Sequence, residues 1–262
     1  MEVHGDVSLG SVSRQRADSR FRVTEGSHAP GCELPLHAHR ASNLTVVLQG
    51  GFREQSSTGS VECSPGSVLY KGAYLPHRNR YGREGATVLH LEPVTPYSGA
   101  ALLMAALSPA HHGVMPQVPP ALGNLLSSFK LDRKERRILD RCLAGAGRLV
   151  APRWARGLCR RLLADSAAPV SLGSLAREYG ISRSQLTRGF RRSYGCSIGE
   201  FQRRIRLERA AELLACSELP IAVIAGECGF SDQAHLCRLF RGRTGRSPGG
   251  FRREAGGHCR NR

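Results

Sequence analysis

The reading of this chain turns on Leu172–Ser182, LGSLAREYGIS, and on Ile221–Ser231, IAVIAGECGFS, which repeats its outline. Leu172, Leu175, Ala176, Gly180, Ile181 and Ser182 recur 49 positions later as Ile221, Ile224, Ala225, Gly229, Phe230 and Ser231. Beyond these, Leu186, Arg188, Phe190, Arg191, Gly195, Ser197 and Phe201 recur 50 positions later as Leu236, Arg238, Phe240, Arg241, Gly245, Ser247 and Phe251. The change of offset predicts one extra residue in the second copy, at the start of its second helix. Each copy reads as helix, tight turn, helix. Leu172, Leu175, Ala176 and Tyr179 fall on one helical stripe. Gly180 suits a left-handed helix end, and Ser182 is a good cap for the helix that follows. In that helix Leu186 and Phe190 lie four apart, leaving Ser184, Gln185, Thr187, Arg188 and Arg191 on other faces.

Between the copies, Ile198–Cys216 contains no proline and carries Phe201, Ile205, Leu207, Ala210, Ala211, Leu213 and Leu214 at helical spacing. A helix of about 18 residues at ~1.5 Å each spans roughly 27 Å. That is long enough to hold two reading helices in successive major grooves on one face of DNA, about 34 Å apart. Pro220 then opens the second unit, a position in the first helical turn that proline tolerates.

Composition agrees with a polyanionic partner. The 262 residues carry a formal charge of +17, which favours phosphate neutralisation and counterion release. Lys71, Lys130 and Lys134 are the only lysines, so the charge is nearly all arginine, whose planar fork suits phosphate and guanine. Hydrophobic residues make up 40% of the chain, enough to give each of two domains a core. The 9 cysteines include no Cys-x-x-Cys pair, which fits idle thiols in a reducing cytoplasm better than a disulfide frame. Met1–Arg22 has no apolar signal-type core and no later run is long enough to span a membrane, so a cytoplasmic protein with no membrane partner is expected.

The C-terminal third resembles the DNA-binding domain of the AraC/XylS family of bacterial transcription regulators. The resemblance is carried by Leu175-Ala176, Gly180-Ile181-Ser182, Leu186 to Phe190, Arg206-Leu207-Glu208-Arg209-Ala210, Leu213-Leu214, Ile224-Ala225, Gly229-Phe230-Ser231-Asp232-Gln233, Phe240, Gly245, Ser247-Pro248 and Phe251-Arg252. It implies two helix-turn-helix units joined by a long helix. Base contacts are implied at Ser184, Thr187 and Arg188 in the first unit and near Gln233, Ala234 and Arg238 in the second. With the neighbouring Gln185, Arg191 and Arg241, these are the candidate DNA-binding residues. Ser184 and Ala234 are short for direct reading of a base. Double-stranded DNA is the partner implied, with RNA polymerase and a homodimer as further partners to consider.

The N-terminal half alternates apolar and polar residues in short runs, clearest at Leu44–Leu48, Val68–Tyr70 and Thr87–Leu91, which suggests a small barrel or sandwich. Gly31-x5-His37-x-His39-x3-Asn43-x6-Gly50, followed by Gly66-x10-His77, resembles the cupin barrel. In that fold two histidines of one strand, a carboxylate and a later histidine bind a metal. His37 and His39, two apart on a strand, point to one face. Asn43 stands where cupin enzymes usually carry glutamate, and Gly72 and Tyr74 replace a proline and glycine of the second motif. The expectation is therefore a small-molecule effector pocket involving His37, His39, Asn43 and His77, with no metal, no cofactor and no catalysis. If a metal binds, His37, His39 and His77 hold it. Leu122–Phe129 and Arg133–Leu149 read as helices, and Trp154, Leu158, Leu162 and Leu163 as a further apolar stripe, either packing support or a dimer seam.

The expected fold is α+β. It comprises a cupin-like sensing domain at 1–95, a helical connecting region at 96–166, an AraC-type domain at 167–254 and a basic tail at 255–262. The expected function is effector- or dimer-controlled transcription regulation, with a metal-dependent cupin enzyme or metal sensor as the alternative.

Overall fold

A computed structural model describes residues 2–4, 10–17, 21–39, 41–56, 59–73, 75–94, 104, 106, 112–115, 133, 136, 137, 140 and 151–259. Among the described residues its N-terminal half forms one nine-stranded sheet. The strands are β1 (Glu2–His4), β2 (Ser11–Ala17), β3 (Phe21–His28), β4 (Glu33–His39), β5 (Asn43–Ser56), β6 (Gly59–Cys63), β7 (Val68–Lys71), β8 (His77–Pro93) and β9 (His112–Val114). The two long strands organise it. β8 pairs with β3 through its second half, with β4 through its first, and with β5 along most of its length. Register shifts in β5 between Val47 and Gln49 and between Gly50 and Phe52 bend the sheet. Gly50, at φ +70°, sits where an added Cβ would lie 2.0 Å from the Gly85 carbonyl oxygen, so only glycine fits this crossing.

Strand parity sorts the sheet into two faces. Leu44 and Val46 of β5, Val68 and Tyr70 of β7, and Leu89 and Leu91 of β8 join Phe21 and Val23 in one apolar cluster. That cluster runs on through Met104, Ala106 and Met115 into Leu158, Leu175, Phe190 and Ile205, so this face is packed against the helical half. The alternate residues face the sheet's own interior. Val47, Phe52, Leu69, Tyr81, Ala86 and Val88 form its apolar part.

The helical half contains α1 (Arg153–Ala164), α2 (Leu172–Glu178), α3 (Arg183–Tyr194), α4 (Ile198–Cys216), α5 (Ile221–Glu227), α6 (Gln233–Thr244) and α7 (Pro248–Cys259). The central helix α4 has the expected bounds, and it buries Phe201, Ile205, Leu207, Ala210, Ala211 and Leu214. Glu200 and Ser197 close a reciprocal capping box at its start.

Several expectations change. β9 pairs with β7, so sheet structure extends past residue 95 to 114. β1 and β2 add strands to a segment read only as polar. The stripe on α1 packs on the first helix-turn-helix unit: Ala155, Leu158, Cys159 and Leu162 share a core with Leu175, Leu186 and Phe190. α7 continues to Cys259, into the segment read as a tail. Pro220 occupies the cap position before α5 rather than its first turn. The helix expected at Leu122–Phe129 lies outside the described residues. Of that at Arg133–Leu149, only Arg133, Arg136, Arg137 and Asp140 are described, and they are helical.

Candidate nucleic-acid interface and sheet interior

Both helix-turn-helix units are built by the same local chemistry. Gly180 and Gly229 take φ +64° and +77° at the turn, the left-handed region that glycine enters without penalty. Ser182 caps α3, its hydroxyl accepting from the Gln185 amide while Gln185 Oε1 accepts from the Ser182 amide. Asp232 caps α6 by accepting from the His235 amide at 2.7 Å. α3 and α6 each have 12 residues, so the extra residue of the second copy lies in the turn, where Asp232 follows Ser231 and takes over the cap. Leu186 and Phe190 anchor α3, and Leu236 and Phe240 anchor α6 at matching positions.

The opposite faces are open. Ser184, Gln185, Thr187, Arg188 and Arg191 are exposed on α3, as are Gln233, Ala234, Arg238 and Arg241 on α6. Not all are equally available to a base. Gln185 Oε1 is engaged by the cap, and the Thr187 hydroxyl donates to the Arg183 carbonyl at 3.0 Å. Arg188 and Arg238 stand on the outward centre of each helix. Two residues escaped the sequence reading. Arg192 is exposed on α3, and half-buried His235 occupies on α6 the place of Gln185. The 50-residue offset from Gln185 would have located His235, whereas Arg192 has Gly242 as its counterpart and is not marked by the repeat.

Arg206 ties the two units together. From α4 it donates to the carbonyls of Ser166 at 2.7 Å, Gly229 at 2.6 Å and Ala167 at 3.1 Å. It thereby fixes the segment before α2 against the turn before α6. Burial is the cause of the downward push on its guanidinium pKa.

The sheet interior is more polar than an ordinary core. His37, His39 and His77 come together as expected, buried, with one ligand atom from each lying within 4.8 Å of the others. His37 and His77 face each other across the β4–β8 ladder. Their Nδ1 atoms lie 2.7 Å from the Pro35 carbonyl and 2.9 Å from the Leu75 carbonyl. A carbonyl only accepts, so each Nδ1 carries a proton, which in the neutral ring puts the lone pair on Nε2. Asn43 is also buried and accepts from Thr45, whose hydroxyl meets His90 Nδ1 at 2.9 Å. His28 and His90, absent from the expected site, join this interior. Burial pushes the His39 and His90 pKa values well down, and His28 down to about 4, with Lys71 and neighbouring imidazoles adding to the effect. Among the described residues, both ring nitrogens of His28 and of His39 lack a protein hydrogen-bond partner. Lys71 forms a buried ion pair with Glu54 at 2.9 Å, and Asn79 donates to the same carboxylate at 2.8 Å.

β7 connects this interior to the helices. Lys71 points inward, so its neighbour Tyr70 points to the other face, where it is fully buried. Burial and then the charge of Glu208 on α4 raise the Tyr70 phenol above its ordinary range, while Arg243 of α6 opposes the rise. Glu208 is itself buried, which pushes its carboxyl up to about 7. Ala73, just after β7, joins the core of the second unit with Leu207, Leu236 and Phe240.

Among the described residues no helix is long and apolar enough to cross a membrane. Residues 175–254 match the family described as a helix-turn-helix domain. Over 88 residues the chain is 35% identical to the uncharacterized HTH-type transcriptional regulator YijO of Escherichia coli, covering 34% of this chain and 31% of that protein. It is 38% identical over 103 residues to the HTH-type transcriptional regulator RipA of Corynebacterium glutamicum, covering 39% and 31%. Similarity to the arabinose operon regulatory protein of Escherichia coli is 36% over 90 residues, covering 34% and 30%. The chain thus spans about a third of the length of the curated relatives it matches. Capped twin units, their joining helix and these relatives agree: residues 175–254 form a domain of two helix-turn-helix units, similar to that part of the transcriptional regulators it matches.

Proposed function

We propose that the protein is a sequence-specific, DNA-binding transcription regulator of the cytoplasm, whose two recognition helices α3 and α6 enter successive major grooves. The observation that carries this is the duplicated, capped unit with Arg188 and Arg238 exposed at equivalent places. The relatives' description as transcriptional regulators supports it. Packing of α1 against α3 supports counting α1 with the DNA-binding part, whose start is then about residue 151 instead of 167. The sheet acts as the sensing part without catalysis, its interior taking a small effector among His28, His37, His39, Asn43 and His77. β7 offers the route for control, since Lys71 belongs to the interior and Tyr70 to the contact with α4 and α6. A homodimer and contact with RNA polymerase complete the reading. The test is recovery of genomic fragments by the full-length protein, followed by salt titration. With about six phosphates neutralised, affinity should fall by roughly 10³ between 50 and 200 mM salt. Recovery of no fragment above background, or binding indifferent to salt, overturns it.

A second reading, in which the effector is a divalent metal ion, is favoured by one observation. The backbone carbonyls at Pro35 and Leu75 fix the tautomers of His37 and His77, as outer partners of metal-bound histidines do. The donor set fits a borderline ion such as zinc, with His39 held neutral and able to bind. About one metal equivalent per chain in purified protein, lost on His77→Ala, supports this reading. Far less than one equivalent after incubation with zinc rules it out.

A further inference from the structure

α1 and α3 together carry eight arginines and no carboxylate: Arg153, Arg156, Arg160 and Arg161, then Arg183, Arg188, Arg191 and Arg192. Arg161 pairs with Glu178 of α2 at 3.0 Å. Arg153, Arg156 and Arg160, spaced at i, i+3 and i+7, form a separate exposed stripe on the side of α1 away from buried Leu158 and Leu162.

The position of that stripe is fixed by a glycine. Gly189 of α3 lies against Trp154 of α1: a Cβ there would stand 2.8 Å from the indole. In the second unit the equivalent residue is Leu239, so glycine at this place is particular to the first. Gly189 is one residue on from the outward Arg188, about 100° round the helix. At Trp154, therefore, α1 reaches the flank of α3, and the Tyr194 hydroxyl donates to the Ala155 carbonyl to hold the two together. Packed helices run roughly 8–10 Å apart, and the major groove is about 12 Å wide. A helix beside one seated in the groove meets the phosphate wall.

We propose that Arg153, Arg156 and Arg160 of α1 form a phosphate-binding ridge that extends the DNA footprint beyond the first recognition helix. It rests on the regulator reading above and adds a contact the two helix-turn-helix units do not supply. Its partner is the DNA backbone, so it strengthens binding without choosing bases.

The test uses full-length protein and a random-sequence duplex of about 30 base pairs, with affinity measured by fluorescence anisotropy across a salt series. Each lost phosphate contact removes roughly 0.9 from the slope of log affinity against log salt, so R153Q/R156Q/R160Q should flatten it by about 2.7. Base preferences and the thermal midpoint should stay as in the unaltered protein. R153K/R156K/R160K keeps the charges and should keep most of the slope. An unchanged slope in the folded glutamine variant overturns the ridge, as does an equal flattening in the lysine variant. If the unaltered protein binds neither this duplex nor genomic DNA, the regulator reading falls, and the ridge with it.

Discussion

Gly180 and Gly229 occupy the same place in the repeat but should differ in what alanine does to them. Both have positive φ, and an L-residue in that region costs roughly 1–2 kcal/mol. At Gly180 that is the whole penalty, because a Cβ there meets nothing within 4 Å. At Gly229 the Cβ would stand 2.7 Å from the Ala167 Cα and 2.8 Å from its carbonyl oxygen. These are backbone atoms, held by Arg206, whose guanidinium also binds the Gly229 carbonyl at 2.6 Å. Overpacking of this kind costs typically about 1–3 kcal/mol. Gly180→Ala should therefore lose about 1–2 kcal/mol and Gly229→Ala about 2–5 kcal/mol. The smaller entropy of the unfolded alanine chain offsets a little of each loss and cancels in the comparison. Urea denaturation of both full-length variants, followed by helical circular dichroism, measures the difference. Equal losses would refute the claim that Arg206 and the Ser166–Ala168 segment clamp the second turn.

Histidine burial gives a pH dependence. The folded pKa of His28 is near 4 against 6.5 unfolded, so its contribution is intact above pH 6.5 and lost as pH falls towards 4, by about 2 kcal/mol at pH 5. Glu208, raised to about 7, acts in the opposite sense between pH 7 and 4.5, so the clean measurement is a difference. Between pH 7 and 5 the unaltered protein should lose about 2 kcal/mol more than His28→Gln, and equal losses would disprove the assignment. Lys71→Met strands the buried Glu54 charge and should cost about 3–5 kcal/mol in a urea melt, with Glu54→Gln in the same chain restoring most of it. No recovery would show that the pair is not the cause.

The helical half was legible because its signals are local. Gly180, Ser182, Leu186 and Phe190 each report a turn, a cap or a core position, and the duplicate repeats the message. The offset alone puts the extra residue no more in the turn than in the helix, because a pair of sequences does not say which of the two absorbs it. The capping carboxylate of Asp232 decides for the turn. In the sheet, Leu44–Leu48 and Thr87–Leu91 alternate because one face is packed on helices. β2 was missed because all seven of its residues are exposed, leaving no alternation to read. His37, His39 and His77 were found from spacing, whereas His28 and His90 needed the pairing of β3 with β8 to enter the same interior. The Glu54–Lys71 pair was hidden for a related reason: charged residues read as solvent-facing until a neighbouring strand supplies the partner. The stripe on α1 announced a buried face, but only tertiary packing names α3 as its cover.

Selection of binding sites from a random duplex library by the full-length protein tests the central claim most directly. The account predicts an asymmetric site with two conserved halves about 10 base pairs apart, each centred in a major groove. Repeating the selection with Arg188→Ala should relax one half and with Arg238→Ala the other, each by about 1–3 kcal/mol of base discrimination. Enrichment of no sequence, or the same uniform weakening with both variants, would contradict it.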